Sequence, residues 1–454
     1  MFNYDVCVIG GGTAGSFAAI SAAKEGLKVL VVEKSGNLGG TSTNGLVSPS
    51  MPTYVGKTRL QKELEQELEK LDGPVYSKRY QKEITCAVKE RPDESSTVMY
   101  FSAEAMQIAL ESLAIKYGVD ILYDTVCFQA EIEEAKIKTV KAITCDGVIQ
   151  IKAANFIDAS GDAVLAKLCD LPLEYGNEDG DNQYSSLRFE VGNVNIDVFL
   201  DYMNTQLNQS YSKSEYPFYT FGVLHQGKEQ VLEPLYKQAL ADGVISEEEY
   251  VWFQAFSIPS KPGVFTFNCP RIPNKTNIIN PLVRSENYIK GRQMIQKYMN
   301  FMTKYLPGFE DCYIEKIATT IGVRESVRVL GQYRLNKDDY LERTKFEDGI
   351  VRADWWIDIH KKDHDPTEEN RYDYHEYFEI PYRSLITGKI SNYAVVGRCI
   401  SSDFASQASI RIQPQCRMMG EAIGIACRIS KNEEVQLNKL NGNQIKIEMS
   451  ERYE

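Results

Sequence analysis

The first 45 residues alternate between apolar runs and glycine-rich turns. The apolar run at residues 4–9 has the length of a strand, and residues 10–15 (GGGTAG) form a glycine turn before an Ala-rich stretch. A second apolar run at residues 27–32 ends in Glu33. This order of strand, glycine turn, helix, strand and acid predicts a βαβ unit that binds a dinucleotide, whereas a glycine turn alone would also suit an ordinary βαβ unit.

Further along the chain, the spacing of apolar positions predicts helices separated by one region of strict alternation. Alternation around Asp146 and Gly147 over residues 126–151 predicts an antiparallel meander. The apolar run at residues 392–396 predicts a late strand. Helical spacing and capping signals predict helices at residues 58–71, 103–117, 246–256, 286–305 and 415–429.

Each part of the first unit has a physical role in holding a nucleotide. Gly10 permits the tight turn after the strand, Gly12 leaves room for a pyrophosphate, and Gly15 lets the helix pack closely on the sheet. The helix N-terminus then offers unpaired N–H groups to the phosphates. Glu33 lies 18 residues after Gly15, which suits a carboxylate that accepts hydrogen bonds from ribose hydroxyls and repels the 2′-phosphate of NADP.

Residues 37–45 (NLGGTSTNG) carry a resemblance to a known class of enzymes. They resemble the second glycine-rich segment of FAD proteins, and the chain resembles the FAD-dependent oxidoreductases of the broad glutathione-reductase and succinate-dehydrogenase type. In disulfide reductases this segment carries two redox cysteines, but Ser42 and Val47 stand in their places here. A flavin–dithiol relay through this segment is therefore excluded, because neither side chain can form a disulfide.

Two later motifs extend the resemblance. Residues 155–162 (NFIDASGD) resemble the strand end that passes the adenosine side of FAD. Residues 322–335 resemble the "GxRESRRxxGxYxL" signature of a bacterial FAD-dependent oxidoreductase branch, except that Val327 replaces an arginine. The chain therefore lacks the two adjacent arginines of that signature.

The resemblance implies the set of residues that contact FAD. The strand at Val126 is expected to supply backbone contacts to the adenine, and the final helix, with Pro414 near its start, is expected to point its N-terminus at flavin N1 and C2=O. The predicted cofactor-binding residues are Gly10, Gly12, Thr13, Ala14, Gly15, Glu33, Lys34, Gly39, Gly40, Thr41, Ser42, Asn44, Val126, Ala159, Ser160, Gly161, Asp162, Gly397, Arg398 and Gln413.

The expected fold class is α/β, with two domains. A Rossmann-like FAD-binding domain, whose parallel sheet carries an antiparallel meander, is expected at residues 1–182 and 375–454. Residues 183–374 are richer in aromatics, Pro and Asn, and they predict an inserted α+β substrate or cap domain.

Four residues are the catalytic candidates. Arg324 and Arg411 are suited to a substrate carboxylate or to the pyrimidine end of the flavin, as is Arg398, although surface ion pairs are the alternative. His360 lies in a "DxH" pattern that family members keep, and it is suited to moving a substrate proton near neutral pH, with a structural histidine as the alternative. Tyr382 is expected to line the same cavity or to pack in the core.

Metal chemistry is not expected. His360, His364 and His375 lie within 16 residues, among several aspartates, but no spacing matches a known zinc or di-iron pattern. The ten cysteines form no C-x-x-C and show no regular spacing, which argues against a structural zinc or an iron–sulfur cluster.

Length and charge limit the function further. The 454 residues carry 51 basic and 63 acidic side chains, a net charge of −12 that argues against a nucleic-acid or anionic-membrane partner. No apolar run is long enough to span a bilayer and no signal peptide is evident, so a cytoplasmic location is expected. Neither the length nor the net charge of the chain indicates an oligomeric state.

The expected activity is that of an FAD-dependent oxidoreductase, which exchanges a hydride between a small organic substrate and flavin N5. No second G-x-G-x-x-G occurs in the middle of the chain, so we expect no dedicated NAD(P)H domain, and electrons come from the substrate or from a small redox partner. A flavin monooxygenase and a non-catalytic flavin-binding subunit are the alternatives; Gly397 followed by Arg398, where hydroxylases carry Gly-Asp, disfavours the first.

Overall fold

A computed structural model describes residues 2–73, 98–207, 220–224, 232–274, 277–360, 372–373 and 375–453. The strands are β1 Phe2–Ile9, β2 Val29–Val32, β3 Asp120–Leu122, β4 Val126–Glu133, β5 Lys136–Thr144, β6 Gly147–Asp158, β7 Leu173–Tyr175, β8 Asn182–Ser186, β9 Phe189–Gly192, β10 Thr220–Leu224, β11 Trp252–Ser257, β12 Phe265–Phe267, β13 Arg271–Asn274, β14 Tyr313–Ile317, β15 Val327–Val329, β16 Gly349–Ala353, β17 Phe378–Pro381 and β18 Tyr393–Val395. The α-helices are α1 Thr13–Lys24, α2 Arg59–Asp72, α3 Ala103–Tyr117, α4 Val164–Leu168, α5 Ile196–Leu207, α6 Glu233–Ala241, α7 Glu247–Tyr250, α8 Pro281–Tyr305, α9 Lys337–Leu341, α10 Phe404–Ile410, α11 Gln413–Glu433 and α12 Gly442–Ser450.

The largest sheet has seven strands and is parallel at its centre. Its order is β3-β2-β1-β6-β5-β4, and β18 pairs with the C-terminal end of β6. β1 runs parallel to β2 and β6, while β4, β5 and β6 form an antiparallel meander. The predicted α/β class, a Rossmann-like parallel sheet with an antiparallel meander, is therefore confirmed. The last strand of the meander and the strand end predicted near residue 156 belong to one long strand, β6.

Helix α11 packs on α1 through two of its glycines. A Cβ atom on Gly420 would lie 2.2 Å from the carbonyl oxygen of Ala14, and one on Gly424 would lie 2.7 Å from the backbone nitrogen of Ala22. The Ser21 hydroxyl also donates to the backbone carbonyl of Glu421 at 2.9 Å. Because this crossing leaves no room for side chains, it holds α11 close to the helix that follows the glycine turn.

We expect Gly424→Ala to lower the free energy of unfolding by about 1–3 kcal/mol, because the added methyl group must push two helix backbones apart. Urea denaturation of the FAD-loaded protein measures this change. Gly388→Ala is the matched control, since a Cβ atom there would have no neighbour within 4 Å. Equal stability of the Gly424 variant and the wild-type protein would mean that the helix crossing is loosely packed.

A second sheet is antiparallel, with the order β10-β11-β12-β9-β14. Helix α8 covers its core, which is rich in aromatic rings: Phe189 stacks on Phe267 at 4.8 Å, and Phe253 meets Phe301 edge-on at 5.4 Å. Apolar side chains from residues 327–357 pack in a different core, which surrounds the seven-stranded sheet and is called the first core below. The predicted domain boundaries at residues 182 and 375 stay a prediction.

The helix predicted at residues 246–256 is wrong. The capping box of Ser246 and Glu249 begins α7 as predicted, but the helix ends at Tyr250 and residues 252–257 form β11. The aromatic sequence WFQAFS suits a strand, and β11 pairs on both sides, with β10 and β12. The predicted helices at residues 58–71, 103–117, 286–305 and 415–429 are confirmed, although α8 begins five residues earlier, at Pro281.

Candidate functional site

The two glycine-rich segments contact each other through their backbones. The N–H of Gly39 donates to the carbonyl of Gly11 at 2.8 Å, and the Thr13 hydroxyl donates to the carbonyl of Gly39 at 3.3 Å. A Cβ atom on Gly40 would lie 2.9 Å from the Cα atom of Gly12. Only glycines allow two backbone segments to approach this closely. Residues 10–15 and 37–45 therefore form one concave surface at the end of β1, called the cradle below.

The third predicted segment joins the same cradle. A Cβ atom on Gly10 would lie 2.7 Å from the carbonyl oxygen of Ala159, and one on Gly15 would lie 1.9 Å from the carbonyl oxygen of Gly10. Gly397 follows β18 and approaches Ala14. The carboxyl ends of β1, β6 and β18 therefore meet beside the N-terminus of α1, which is where open parallel sheets bind ligands.

The cradle leaves space where a pyrophosphate belongs. A Cβ atom on Gly12 would have one neighbour, the Cα atom of Gly40 at 4.0 Å, and no side chain caps the first turn of α1. The buried carboxylate of Glu33 accepts hydrogen bonds from the backbone N–H groups of Gly11 at 2.7 Å and Ser35 at 2.9 Å, which fixes its orientation. The open space, the free helix N-terminus and this oriented acid fit the adenosine diphosphate half of FAD.

The remaining predicted FAD residues line or support this cradle. The hydroxyl of Ser42 donates to Gly39, the amide of Asn44 donates to Ser35, and the amide of Gln413 donates to the carbonyl of Val47 at 2.8 Å. Lys34, which follows β2, and Val126, which begins β4, are both exposed. The FAD roles of all the predicted cofactor-binding residues, including Thr41, Ser160 and Gly161, stay predictions.

Arg398 is engaged with Asp162. The Asp162 carboxylate accepts hydrogen bonds from Arg398 at 3.0 Å, Arg284 at 2.9 Å and the hydroxyl of Ser326 at 2.8 Å. Burial raises the pKa of Asp162, but the two arginines outweigh it and hold the pKa well below its usual range. The structure therefore groups Arg398 with the third glycine segment and not with the other candidate arginines.

Three of the four catalytic candidates meet around Asp358. The ring Nε2 of His360 lies 3.0 Å from the Asp358 carboxylate, and Arg411 donates to the Asp358 carbonyl at 2.9 Å and to its carboxylate at 3.3 Å. Arg324 donates to the carbonyl of Tyr184 at 2.6 Å. The backbone N–H of Tyr184 in turn donates to the carbonyl of His360 at 2.9 Å. These side chains form one cluster between β8 and the loop before α11.

The charges in this cluster set the protonation of His360. Burial and the neighbouring Arg324 lower the pKa of His360 well below its usual value, although Asp358 opposes them. His360 and the arginines in turn keep the pKa of Asp358 well below its usual range, despite its burial. The carboxylate can only accept, so Nε2 of the neutral ring carries the proton and Nδ1 holds a lone pair. Nδ1 is buried and has no hydrogen-bond partner among the described residues.

The sequence analysis missed Arg271, and of the two positions that it left open for Tyr382 the structure shows the one in the core. Arg271, on β13, lies near Asp358, Arg324 and Arg411, and burial lowers its pKa to about 9. No motif or spacing in the sequence marks it. Tyr382 is buried in the first core, where its hydroxyl donates to the carbonyl of Leu437 at 2.9 Å, so the structure does not bring it to the cluster.

The described residues contain no group of three or more His, Cys, Asp or Glu side chains arranged to hold a metal ion. The stretch that contains His360, His364 and His375 is only partly described, because residues 361–371 lie outside the described part of the chain. His375 is exposed. Among the described residues, no helix combines the length and apolarity that crossing a bilayer requires.

Asp354 lies beside the first turn of α11 and should make stability depend on pH. Its buried carboxylate accepts hydrogen bonds from Tyr54, Thr53 and Gln415, yet burial raises its pKa to about 6. Because the folded state favours the protonated acid, this group costs stability as the pH rises from about 4 to about 6. We expect Asp354→Asn to gain on the order of 1–3 kcal/mol relative to wild type between pH 4 and pH 7.

Urea denaturation across this pH range measures the difference. Asp146→Asn, in an exposed turn, is the control, and the difference between its free energy of unfolding and that of the wild-type protein should not change with pH. A flat difference for the Asp354 variant as well would mean that this carboxyl group titrates as it does in the unfolded chain.

The sheet and cradle define a flavoprotein that binds FAD. A family profile described as FAD dependent oxidoreductase matches residues 5–449. The chain belongs to this family of FAD-dependent oxidoreductases, so it is an enzyme and FAD is its cofactor. The finer "GxRESRRxxGxYxL" branch and the glutathione-reductase type stay predictions.

Individual relatives match shorter parts of the chain. A 48-residue segment, 11% of this chain, is 56% identical to 9% of the mitochondrial dihydrolipoyl dehydrogenase of Schizosaccharomyces pombe. A 161-residue segment, 35% of the chain, is 31% identical to 38% of digeranylgeranylglycerophospholipid reductase 1 of Methanococcoides burtonii. The chain thus spans less than half the length of these two relatives.

One solved structure aligns over the whole chain. A geranylgeranyl bacteriochlorophyll reductase-like protein from Thermoplasma acidophilum aligns over 100% of this chain and 85% of that chain, with 14% identity and a TM-score of 0.46.

Proposed function

We propose that this enzyme exchanges a hydride between FAD and a small acidic organic substrate at the cluster around Asp358. The observation that carries the proposal is the contact of His360 with Asp358, whose carboxylate also accepts from Arg411 just before α11, the helix expected to point at the flavin. Bound FAD supplies an N5 position that accepts or donates a hydride. The branch signature at residues 322–335, which contains Arg324, supports the same location.

Arg324 and Arg411 are proposed to bind the acidic group of the substrate. Burial and the other arginines lower the pKa of Arg324 well below its usual value, which means that its positive charge lacks sufficient compensation. The Nε atom of Arg411 is buried and has no hydrogen-bond partner among the described residues. A bound carboxylate would provide that compensation, and in a desolvated cleft it would do so more strongly than water does.

His360 is proposed to move the proton that accompanies the hydride. As a hydride leaves a substrate carbon, the hydroxyl or amino group on that carbon loses its proton to Nδ1 of His360. In the reverse direction the protonated ring returns it. Asp358 keeps the ring oriented through Nε2 and stabilises the imidazolium while it exists, so the positive charge that forms on the ring is balanced within one hydrogen-bonded pair.

The source of electrons follows from the absence of a second dinucleotide motif in the sequence. We propose that the acidic substrate reduces the flavin directly, or that a small redox partner does, without a dedicated NAD(P)H domain.

Anaerobic mixing of the FAD-loaded protein with panels of small hydroxy and amino acids tests this function through flavin absorbance. We expect acids to bleach the flavin and their methyl esters or amides to bleach it far more slowly. Bleaching by neutral compounds as fast as by acids, or by NAD(P)H alone, would contradict the proposal.

A further inference from the structure

The cluster around Asp358 carries more positive charge than one carboxylate can balance. Arg271, Arg324 and Arg411 contribute three positive charges, Asp358 contributes one negative charge, and His360 is neutral. Among the residues that the structure describes, the cluster therefore has a surplus of two positive charges. A surplus of this size in a buried site is unfavourable without bound anions.

The strand register places Arg271 on the face of β8 and β13 that the side chain of Arg324 contacts. Arg271 on β13 lies directly opposite Ser186 on β8 in an antiparallel pair, so both side chains project from the same side. The Ser186 hydroxyl accepts a hydrogen bond from Arg324 at 2.9 Å. Arg271 and Arg324 therefore face the same space, and the backbone contact from Tyr184 to His360 brings the histidine beside it.

Arg271 is not committed to another protein group. Its guanidinium stacks on the ring of Trp252 at 3.3 Å, and among the described residues it makes no hydrogen bond, with a buried Nε atom that lacks a partner. Stacking leaves the edge of the guanidinium, where its donors lie, available to a ligand. Arg188 differs, because it donates to the carbonyl of Ser48 and lies near the carboxylate of Glu190.

From this geometry we infer that the substrate is a small organic dianion, with one acidic group held by Arg324 and Arg411 and a second held by Arg271. The inference rests on the proposed function and adds the substrate class to it. A planar carboxylate matches the guanidinium fork with two parallel hydrogen bonds, so dicarboxylates of short chain length are the ligands that the site suits.

Binding to the oxidised holoenzyme tests the inference without turnover. Calorimetric titration and flavin difference spectra are recorded with matched pairs: succinate against butyrate, and glutarate against valerate. We expect each dicarboxylate to bind about tenfold or more tightly than its monocarboxylate partner, because it makes one additional charge-assisted contact. Inorganic phosphate, as a third ligand, shows whether a compact dianion suffices.

Arg271→Gln should remove this preference by raising the Kd of the dicarboxylates about tenfold or more, while the Kd of the monocarboxylates stays unchanged. Arg271→Lys should keep part of the preference because it keeps the charge. Arg292→Gln is the matched control, since Arg292 also stacks on an aromatic ring, that of Tyr288, but is exposed.

Several outcomes would overturn the inference. They are equal affinity of the wild-type protein for both members of each pair, an equal loss for both in Arg271→Gln, and loss of FAD from that variant. Equal rates of flavin reduction by a low concentration of a dicarboxylate in Arg271→Gln and in the wild-type protein would sink the inference but keep the proposed function. If dicarboxylates bind with the expected preference but no acid reduces the flavin, the proposed function fails and the preference of the site for a dianion stands.

Discussion

Replacing Gly12 with valine should abolish FAD binding and leave the protein folded. In the structure, a Cβ atom at this position approaches only the Cα atom of Gly40, at 4.0 Å, and the backbone φ of −68° is ordinary for any residue. A valine side chain would therefore enter the space that the pyrophosphate needs, and its Cβ atom would meet no close protein atom. Flavin released from the purified variant, measured against protein, reports binding.

A second glycine separates the binding effect from a folding effect. Gly15→Val should fail to fold properly, because its Cβ atom would lie 1.9 Å from the carbonyl oxygen of Gly10. Far-UV circular dichroism and urea denaturation of the two apoproteins distinguish the variants. Normal FAD content in Gly12→Val would mean that the nucleotide binds elsewhere.

Replacing His360 with asparagine should slow flavin reduction about 10²-fold or more while FAD stays bound, the usual scale for losing a general acid or base. Asparagine offers no basic nitrogen in the place of Nδ1, and its shorter side chain does not reach the position of Nε2 that contacts Asp358. Rapid mixing of the FAD-loaded variant with a reducing acid under anaerobic conditions measures the rate. Arg324→Ala should slow reduction to a similar extent, through loss of the charge that holds the acid.

Tyr382→Phe is the control for both variants. Its hydroxyl bonds to Leu437 in the first core, so its loss should lower stability by about 1 kcal/mol and leave the reduction rate unchanged. Wild-type reduction rates in His360→Asn and Arg324→Ala would remove these residues from the mechanism. Slow flavin reduction in Tyr382→Phe would instead mean that the packing of the core around α12 affects the geometry of the site.

The FAD-binding half could be predicted because its determinants are local. Gly10, Gly12 and Gly15 act within one turn, and Glu33 ends the next strand, so spacing along the chain is also proximity in space. The alternation over residues 126–151 likewise reports a meander whose strands pair with their neighbours. The predicted helix at residues 246–256 was wrong because only pairing with β10 and β12 makes residues 252–257 a strand.

The reacting end could be predicted only in part. Arg324 and His360 were suggested by sequence motifs, and the structure brings both to Asp358, whereas Tyr382 packs in the core and Arg398 pairs with Asp162. Arg271 has no motif, because its position depends on the register between β8 and β13, which are about 90 residues apart in the chain.

The sequence by itself determined the α/β class and the glycine turn that binds a dinucleotide, since backbone space and a strand-end carboxylate are written in consecutive residues, and its resemblance to FAD proteins indicated which dinucleotide. Only the tertiary structure decided which arginines share one space and which nitrogen of His360 lacks a partner. The physical reason is that charge balance and desolvation depend on distances between residues from separate elements, and these distances exist only after the strands have paired.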